Sequence, residues 1–224
     1  SRYMFEVNTL AEARRLDAHL QSLAGKAPSL ARNTVVVAGG GLTGLETATE
    51  MPERLRAALG NECEVRVVVV DTAKAIGASM GAAPAAVIAE ALEHCGVETR
   101  AGVRVRAVDA GGVTLSDGEY IETHTMIWTA GMRASPLAAQ IPGDHDELGR
   151  VIGDAFLRAP AAENLFVTGD TVKVNTDDQG NCNVMSCQHA MSLGRVAGHN
   201  AAAVLLGLPM HPYSQPKYVM CLDL

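Results

Sequence analysis

Residues 35 to 46 have the types and spacing best suited to chemistry: Val35-Val36-Val37-Ala38-Gly39-Gly40-Gly41-Leu42-Thr43-Gly44-Leu45-Glu46. An apolar, β-branched run leads into Gly-x-Gly-x-x-Gly, with helix-compatible residues behind it. This is the strand, turn and helix start that binds a dinucleotide pyrophosphate. Gly39 lets the chain turn sharply, Gly41 removes a side chain where backbone must approach phosphate, and Gly44 lets helix pack close to strand. Gly40 and Thr43 complete the turn, and the helix N-terminus offers N–H groups and partial positive charge to an anion. A second strand-like run, Val65 to Val70, ends on Asp71. A carboxylate there can accept hydrogen bonds from both hydroxyls of an adenosine ribose and repels a 2′-phosphate. The spacing from Gly44 to Asp71 exceeds the usual value of about 20 residues, the excess being taken up by a helix to about Leu59 and the polar turn Gly60 to Glu64. NADH is favoured over NADPH, with Lys74 and Arg66 keeping the phosphorylated form open.

The elements that must position these residues are legible in outline. Thr9 to Leu23 carries a helical stripe of Leu10, Ala13, Leu16, Leu20 and Leu23, with Thr9 as cap and Glu12 in capping-box position. Gly25-Lys26-Ala27-Pro28 ends it. The glycine turn opens a helix to about Leu59 in which Pro52 predicts a kink. After Asp71 a glycine-rich loop, Gly77 to Gly81, leads to a helix from about Pro84 to His94, stopped at Gly96. Val103 to Val108, Val113 to Leu115 and Tyr120-Ile121 then read as an antiparallel meander that returns through Met126-Ile127-Trp128 to Thr129-Ala130-Gly131. The meander stands where an ordinary doubly wound domain has its third helical crossover. Its small-residue turn falls at the carboxyl end of a strand, where ligands sit in open α/β sheets. Residues 138 to 160 read as a loose connection, Asn164 to Asp170 as a buried strand ending in Gly169-Asp170, and Met185 to Leu206 as a helix closed by Gly207 and Pro209. The chain ends at Leu224 in an apparent strand.

With 224 residues, 48 % of them hydrophobic and 19 % charged, the chain has about one and a half domains' worth of core. A net charge of -7 gives no electrostatic reason to expect nucleic acid. No run approaches the roughly 20 apolar residues of a membrane span, and no signal peptide opens the chain, so a cytoplasmic location is the default. Five cysteines, Cys63, Cys95, Cys182, Cys187 and Cys221, without framework spacing point to reduced thiols.

Taken in order, these segments resemble the flavin-dependent pyridine nucleotide oxidoreductases, and within them the type II NADH dehydrogenase-like branch. The resemblance rests on the Gly39 to Glu46 turn, the meander, the Ile127-Trp128-Thr129-Ala130-Gly131 return and Leu165-Phe166-Val167-Thr168-Gly169-Asp170. It implies an α/β fold: a Rossmann-like NAD(H)-binding domain with a β-meander crossover over residues 33–137, and part of a second, FAD-type nucleotide-binding domain in residues 1–32 and 138–224. By the same resemblance Asp170 bonds the ribityl and pyrophosphate region of FAD with Gly169 allowing close approach, Glu46 sits beside the nicotinamide near the flavin, and Ala130-Gly131 line the dinucleotide path. Glu46 also has a plainer reading, a helix N-terminal acid matched to the dipole. An FAD-binding member opens with its own Gly-x-Gly-x-x-Gly ahead of the second one, and here Gly39 begins the one such motif. The resemblance therefore implies a portion of a longer flavoprotein. The implied activity is transfer of hydride from NADH to FAD and on to a small-molecule acceptor, with quinone favoured. The quinone-reducing branch carries Ala-Gln-x-Ala-x-Gln-Gln-Gly before its late helix; here Cys187 to Gly194 matches at Gln188, Ala190 and Gly194, and Gln188 is the candidate at the acceptor side. A homodimer and a peripheral position at the membrane stay open for the full-length protein.

Rival readings are a ferredoxin or disulfide reductase on the same scaffold, and a non-catalytic NAD(H)-binding sensor. Cys182-x4-Cys187 copies the spacing of a redox pair that, by the resemblance, belongs on the FAD-side helix. With His189 it supplies three zinc ligands where a structural site wants four, so no metal site is assigned. Tyr213-x-x-x-Lys217 copies a dehydrogenase acid-base pair, which needs a helix that Pro212 and Pro216 argue against.

Overall fold

The computed structural model describes residues 3–217 and 221–224. By internal contacts the chain forms two units, one running to Gly131 and including Leu222–Leu224, the other Met132–Cys221. Residues ahead of 33 thus pack with the nucleotide-turn unit.

The first unit comprises β1 (Met4–Phe5), α1 (Leu10–Ser22), the short α2 (Leu30–Asn33), β2 (Thr34–Ala38), α3 (Leu42–Leu59), β3 (Arg66–Asp71), α4 (Ala82–His94), β4 (Val97–Ala101), β5 (Val105–Val108), β6 (Gly112–Leu115), β7 (Tyr120–Glu122) and β8 (Thr125–Trp128). Five strands form a sheet in the order β1-β8-β2-β3-β4, every neighbouring pair parallel. β2 and β3 are runs of valine because both faces of the sheet are covered there. Val35, Val37, Val67 and Val69 pack with Leu16 and Leu20 of α1, Leu45, Met51 and Leu55 of α3, and Ile88 and Leu92 of α4. Val36, Val68, Val70 and Met126 face the other way, onto Val113, Leu115 and Ile121 of the β5-β6-β7 meander. The strand period of two thus sorts one valine run between a helical layer and a β layer.

Local signals account for the helix ends. The Thr9 side chain accepts the Glu12 backbone N–H at 3.2 Å and donates to the Glu12 carboxylate at 3.0 Å, starting α1. Pro52 lies buried inside α3 without ending it. Two strands of this unit escape the sequence reading. Met4–Phe5 reaches the sheet only through pairing with Met126 and Ile127, and Val97–Ala101 carries Glu98 and Arg100 among its apolar residues. Those charges pair across the surface, Glu98 with Arg66 and Arg100 with Glu119, while a parallel ladder with β3 makes the mixed run an edge strand.

The second unit contains β9 (Val151–Ile152), β10 (Arg158–Ala159), β11 (Ala162–Phe166), β12 (Val172–Lys173) and α5 (Cys187–Leu206). β12 pairs parallel with β9, and β10 pairs antiparallel with β11. The expected buried strand at Asn164 to Asp170 needs correction: pairing stops at Phe166, Leu165 is 36 % exposed, and Gly169–Thr171 form a short 3-10 turn. With only β10 beside it, this strand has one covered flank and an open face. Val167, just beyond it, joins Leu157, Val172, Val174, Leu193, Ala197 and Tyr213 in a separate core. The strand expected at the chain end falls partly on 218–220, outside the described residues, and Leu222–Leu224 are not strand.

Candidate functional site

Strand register builds the site. Ala38 lies opposite Val70 of β3 and Trp128 of β8, so the next residue of each strand, Gly39, Asp71 and Thr129, emerges together at the carboxyl edge of the sheet. Gly39 turns with φ +118°, and its N–H donates to Val70 O at 2.8 Å. A Cβ on Gly39 would stand 2.8 Å from the backbone of Thr129 and Ala130. A Cβ on Gly44 would stand 1.8 Å from the Gly39 carbonyl oxygen, which is the close helix-to-strand approach expected of that position. Gly41 is different: it caps α3 in extended backbone, and nothing lies within 4 Å of its absent Cβ. Open space at that point, beside the first N–H groups of α3, is what a phosphate needs. Thr43 lies exposed in the first turn of the helix.

Asp71 closes one side. One carboxylate oxygen accepts the Gly40 N–H and the other accepts the Ala73 N–H at 2.6 Å. A Cβ on Gly40 would come within 3.3 Å of the Asp71 side chain and of Ile76, so a side chain there would press on the acid beside it. Arg66 donates to both oxygens of Glu98, at 2.8 and 2.9 Å, which occupies one of the two cations that kept a 2′-phosphate open. The same contact holds the Glu98 carboxyl below the usual carboxylate range. Gly131, with φ +93°, continues from Ala130 with open space at its Cα.

Glu46 lies half-buried on α3, one turn past the helix start, and its carboxylate accepts the Asp223 N–H at 3.3 Å. No acid stands in the first turn of α3, so matching the helix dipole is not its role. Glu46 also lines a groove of about 340 Å³ between α1 and α3 with Leu16, Thr43 and Met51.

In the second unit Gly169 adopts φ +67°, and Asp170 follows it, half-exposed, its carboxylate without a protein hydrogen-bond partner among the described residues. A free acceptor after a left-handed glycine suits a ligand hydroxyl such as those of a ribityl chain, so this corner fits part of an FAD site. Gln188, in the first turn of α5, donates to Cys221 Sγ at 3.3 Å. Asp170 and Gln188 belong to one unit, and Glu46 and Asp71 to the other. All five cysteines are free thiols. Tyr213 is buried in non-helical chain and donates to Gln215 at 2.9 Å, away from any helical pairing with Lys217. Among the described residues no cluster suits a metal ion, and no helix is long and apolar enough to cross a membrane. Sequence reasoning missed Thr129, whose hydroxyl reaches the carbonyls of Ala38 and Gly39 at 2.9 and 3.1 Å; its place at the end of a return strand was the available signal.

Comparison with known proteins identifies the family of the chain. Residues 2–194 match the family described as pyridine nucleotide-disulphide oxidoreductase. An NADH dehydrogenase-like protein of Mycobacterium tuberculosis is 46 % identical over 222 residues, covering 98 % of this chain and 55 % of the relative. A type II NADH:quinone oxidoreductase of the same organism is 36 % identical over 160 residues, covering 64 % of this chain and 34 % of the relative. The chain thus spans about half the length, or less, of these curated relatives. Among solved structures, an NAD-dependent persulfide reductase from A. fulgidus superposes with a TM-score of 0.74 at 19 % identity, over 99 % of this chain and 38 % of that one. A ferredoxin reductase from Rhodopseudomonas palustris superposes with a TM-score of 0.71 at 24 % identity, over 94 % and 48 %. These two likenesses are of fold.

Proposed function

The chain belongs to the pyridine nucleotide-disulphide oxidoreductase family, and from that premise we propose that it forms the NAD(H)-binding part, and a share of the flavin-binding part, of an FAD-dependent NADH oxidoreductase whose electrons pass to a quinone. The observation that carries the NAD(H) assignment is the registered edge of Gly39, Asp71 and Thr129 beside the open N-terminus of α3. The N–H groups of Gly41 to Gly44 receive the pyrophosphate, and Asp71 receives the adenosine ribose while opposing a 2′-phosphate. Glu46 takes the nicotinamide side of the site, Ala130 and Gly131 line the path of the dinucleotide, and Gly169 with Asp170 receives the flavin's ribityl and pyrophosphate region. The redox chemistry itself, hydride from NADH to flavin and onward delivery to an acceptor, belongs to the cofactors. Protein groups bind, orient and exclude water.

Quinone as acceptor is supported by the names of several relatives, including type II NADH:quinone oxidoreductases of Mycobacterium tuberculosis and a demethylphylloquinone reductase of Synechocystis. Gln188 is the side chain assigned to that acceptor. The test is NADH oxidation by the FAD-loaded full-length protein with a short-chain water-soluble quinone, a disulfide and a ferredoxin offered separately. Turnover with the quinone is expected. Turnover with only the disulfide or the ferredoxin overturns the acceptor, and NADH binding without any turnover overturns the enzyme reading in favour of a sensor.

A further inference from the structure

The carbonyl of Gly39 and the N–H of Gly40 are two ends of one peptide group, pointing in opposite directions as a trans peptide requires. The N–H end donates to the Asp71 carboxylate. The carbonyl end faces the Thr129 hydroxyl at 3.1 Å. Thr129 Oγ1 also lies 2.9 Å from Ala38 O, but that oxygen already accepts the Thr129 backbone N–H at 2.8 Å. Among the described residues no backbone donor reaches Gly39 O, and the Cα of Gly44 covers it closely enough that a Cβ there would stand at 1.8 Å. The single hydroxyl proton therefore has its greater effect on the Gly39 carbonyl, a covered acceptor with no other donor.

A peptide between two glycines is the easiest kind to rotate, because neither neighbour has a Cβ to resist it. Rotated, it would turn a carbonyl toward the Asp71 carboxylate and tilt the chain that leads into the N-terminus of α3. We infer that Thr129 is a positioning residue of the dinucleotide site: its hydroxyl, opposite Asp71, clamps the Gly39–Gly40 peptide so that the N–H groups of Gly41 to Gly44 stay presented to pyrophosphate. This rests on the NAD(H) reading given above.

The test compares wild-type full-length protein with Thr129→Val, which keeps the shape and loses the hydroxyl, and Thr129→Ser, which keeps the hydroxyl. Dissociation constants for NADH and for ADP-ribose are measured by titration, with melting temperature read in parallel. In Thr129→Val both ligands should weaken by the same factor, about tenfold, as one hydrogen bond to a covered carbonyl is lost. Thr129→Ser should bind ADP-ribose within about twofold of wild type. Wild-type affinity for ADP-ribose in Thr129→Val, or a loss in Thr129→Ser as large as in Thr129→Val, overturns the clamp. If the valine variant does not fold, the serine variant decides alone, with a tenfold loss overturning the inference. Failure of wild-type protein to bind either ligand overturns instead the NAD(H) reading.

Discussion

Asp71 holds the N–H of Gly40 in its carboxylate, so the middle glycine of the turn contributes no donor to an incoming phosphate. The anion must be met by Gly41 and the first residues of α3, and the acid is oriented before any ribose arrives. Its second oxygen is tied to Ala73, which fixes the plane of the carboxylate.

Asp71→Ser should therefore weaken NADH more than NADPH. The change removes a charged acceptor for the ribose hydroxyls and the charge that opposes a 2′-phosphate. A shift in relative preference of about 1 to 3 kcal/mol is expected for lost charge-assisted hydrogen bonds. Titration with both nucleotides checks it, and equal weakening of the two removes Asp71 from the discriminating role.

Two glycines of the turn should separate binding from folding. Alanine at Gly44 would place its Cβ on the Gly39 carbonyl, a backbone atom with no room to yield, whereas alanine at Gly41 meets no protein atom within 4 Å. Gly44→Ala is expected to lower the melting temperature and abolish NADH binding together. Gly41→Ala should keep the wild-type melting temperature and still lose affinity, about tenfold or more, because its methyl occupies phosphate space. A Gly41→Ala protein that binds NADH normally would place the pyrophosphate elsewhere.

What the sequence made legible was local. The capping box of Thr9 and Glu12, the valine run into the glycine turn and the acid at the end of β3 each depend on residues close in the chain. What it hid was set by distant pairing. Met4–Phe5 becomes a strand only against β8, and Val97–Ala101 only against β3, with Arg66 and Glu119 answering its charges at the surface. The hydroxyl of Thr129 meets Gly39 through the register of β2 with β8, which no single-segment pattern contains. At Leu165-Phe166-Val167 apolar content suggested burial, yet pairing with β10 alone leaves Leu165 exposed.

The second unit repeats one turn. Asp146 accepts the N–H groups of Leu148 and Arg150 and binds the Arg150 side chain, Asp154 does the same with Phe156 and Arg158, and Asp177 does so with Gln179 and Asn181. The fourth position is left-handed each time: Gly149 at φ +79°, Gly180 at φ +86° and Leu157 at φ +67°. Leu157 is fully buried in the unit's core, and burial worth about 1.5 to 3 kcal/mol offsets a left-handed cost of about 1 to 2. Leu157→Ala keeps the strain and loses the burial, whereas Leu157→Gly loses burial but relieves strain. Urea unfolding should rank the glycine variant at least as stable as the alanine variant, reversing the usual order. The usual order would show that the turn is unstrained.

His19 makes stability depend on pH. It stacks on Phe5 at 4.4 Å between ring centroids and lies 2.9 Å from Thr125 Oγ1, joining α1 to β1 and β8. Burial first, then the positive charge of Lys26 with His124 adding to it, holds its pKa below the ordinary 6.5, outweighing a hydrogen bond to the His124 backbone that acts the other way. A lowered value means that the unfolded chain takes up the proton first. The contribution is therefore present above the unfolded value and is lost as pH falls through the folded one. Burial lowers His189 in the same direction. Melting temperature should drop on acidification below neutrality, and His19→Gln should flatten the drop without removing the share of His189. An unchanged slope in His19→Gln would assign the dependence elsewhere.

Asp170→Ala addresses the flavin side. The carboxylate follows a left-handed Gly169 and has no protein partner among the described residues, so its removal breaks no hydrogen bond that supports the turn. A group kept for a ligand should then show its loss only when the ligand is counted. In the full-length protein we expect FAD occupancy to fall about ten- to a hundredfold in binding terms, corresponding to roughly 1.5 to 3 kcal/mol for a charged hydrogen bond. NADH affinity should change little, because Asp170 and the Gly39 turn belong to different units. Bound flavin is measured per folded molecule, with folding scored by circular dichroism. A ratio equal to wild type would remove Asp170 from the flavin site, and a loss of folded protein at constant ratio would make it a structural residue of the turn.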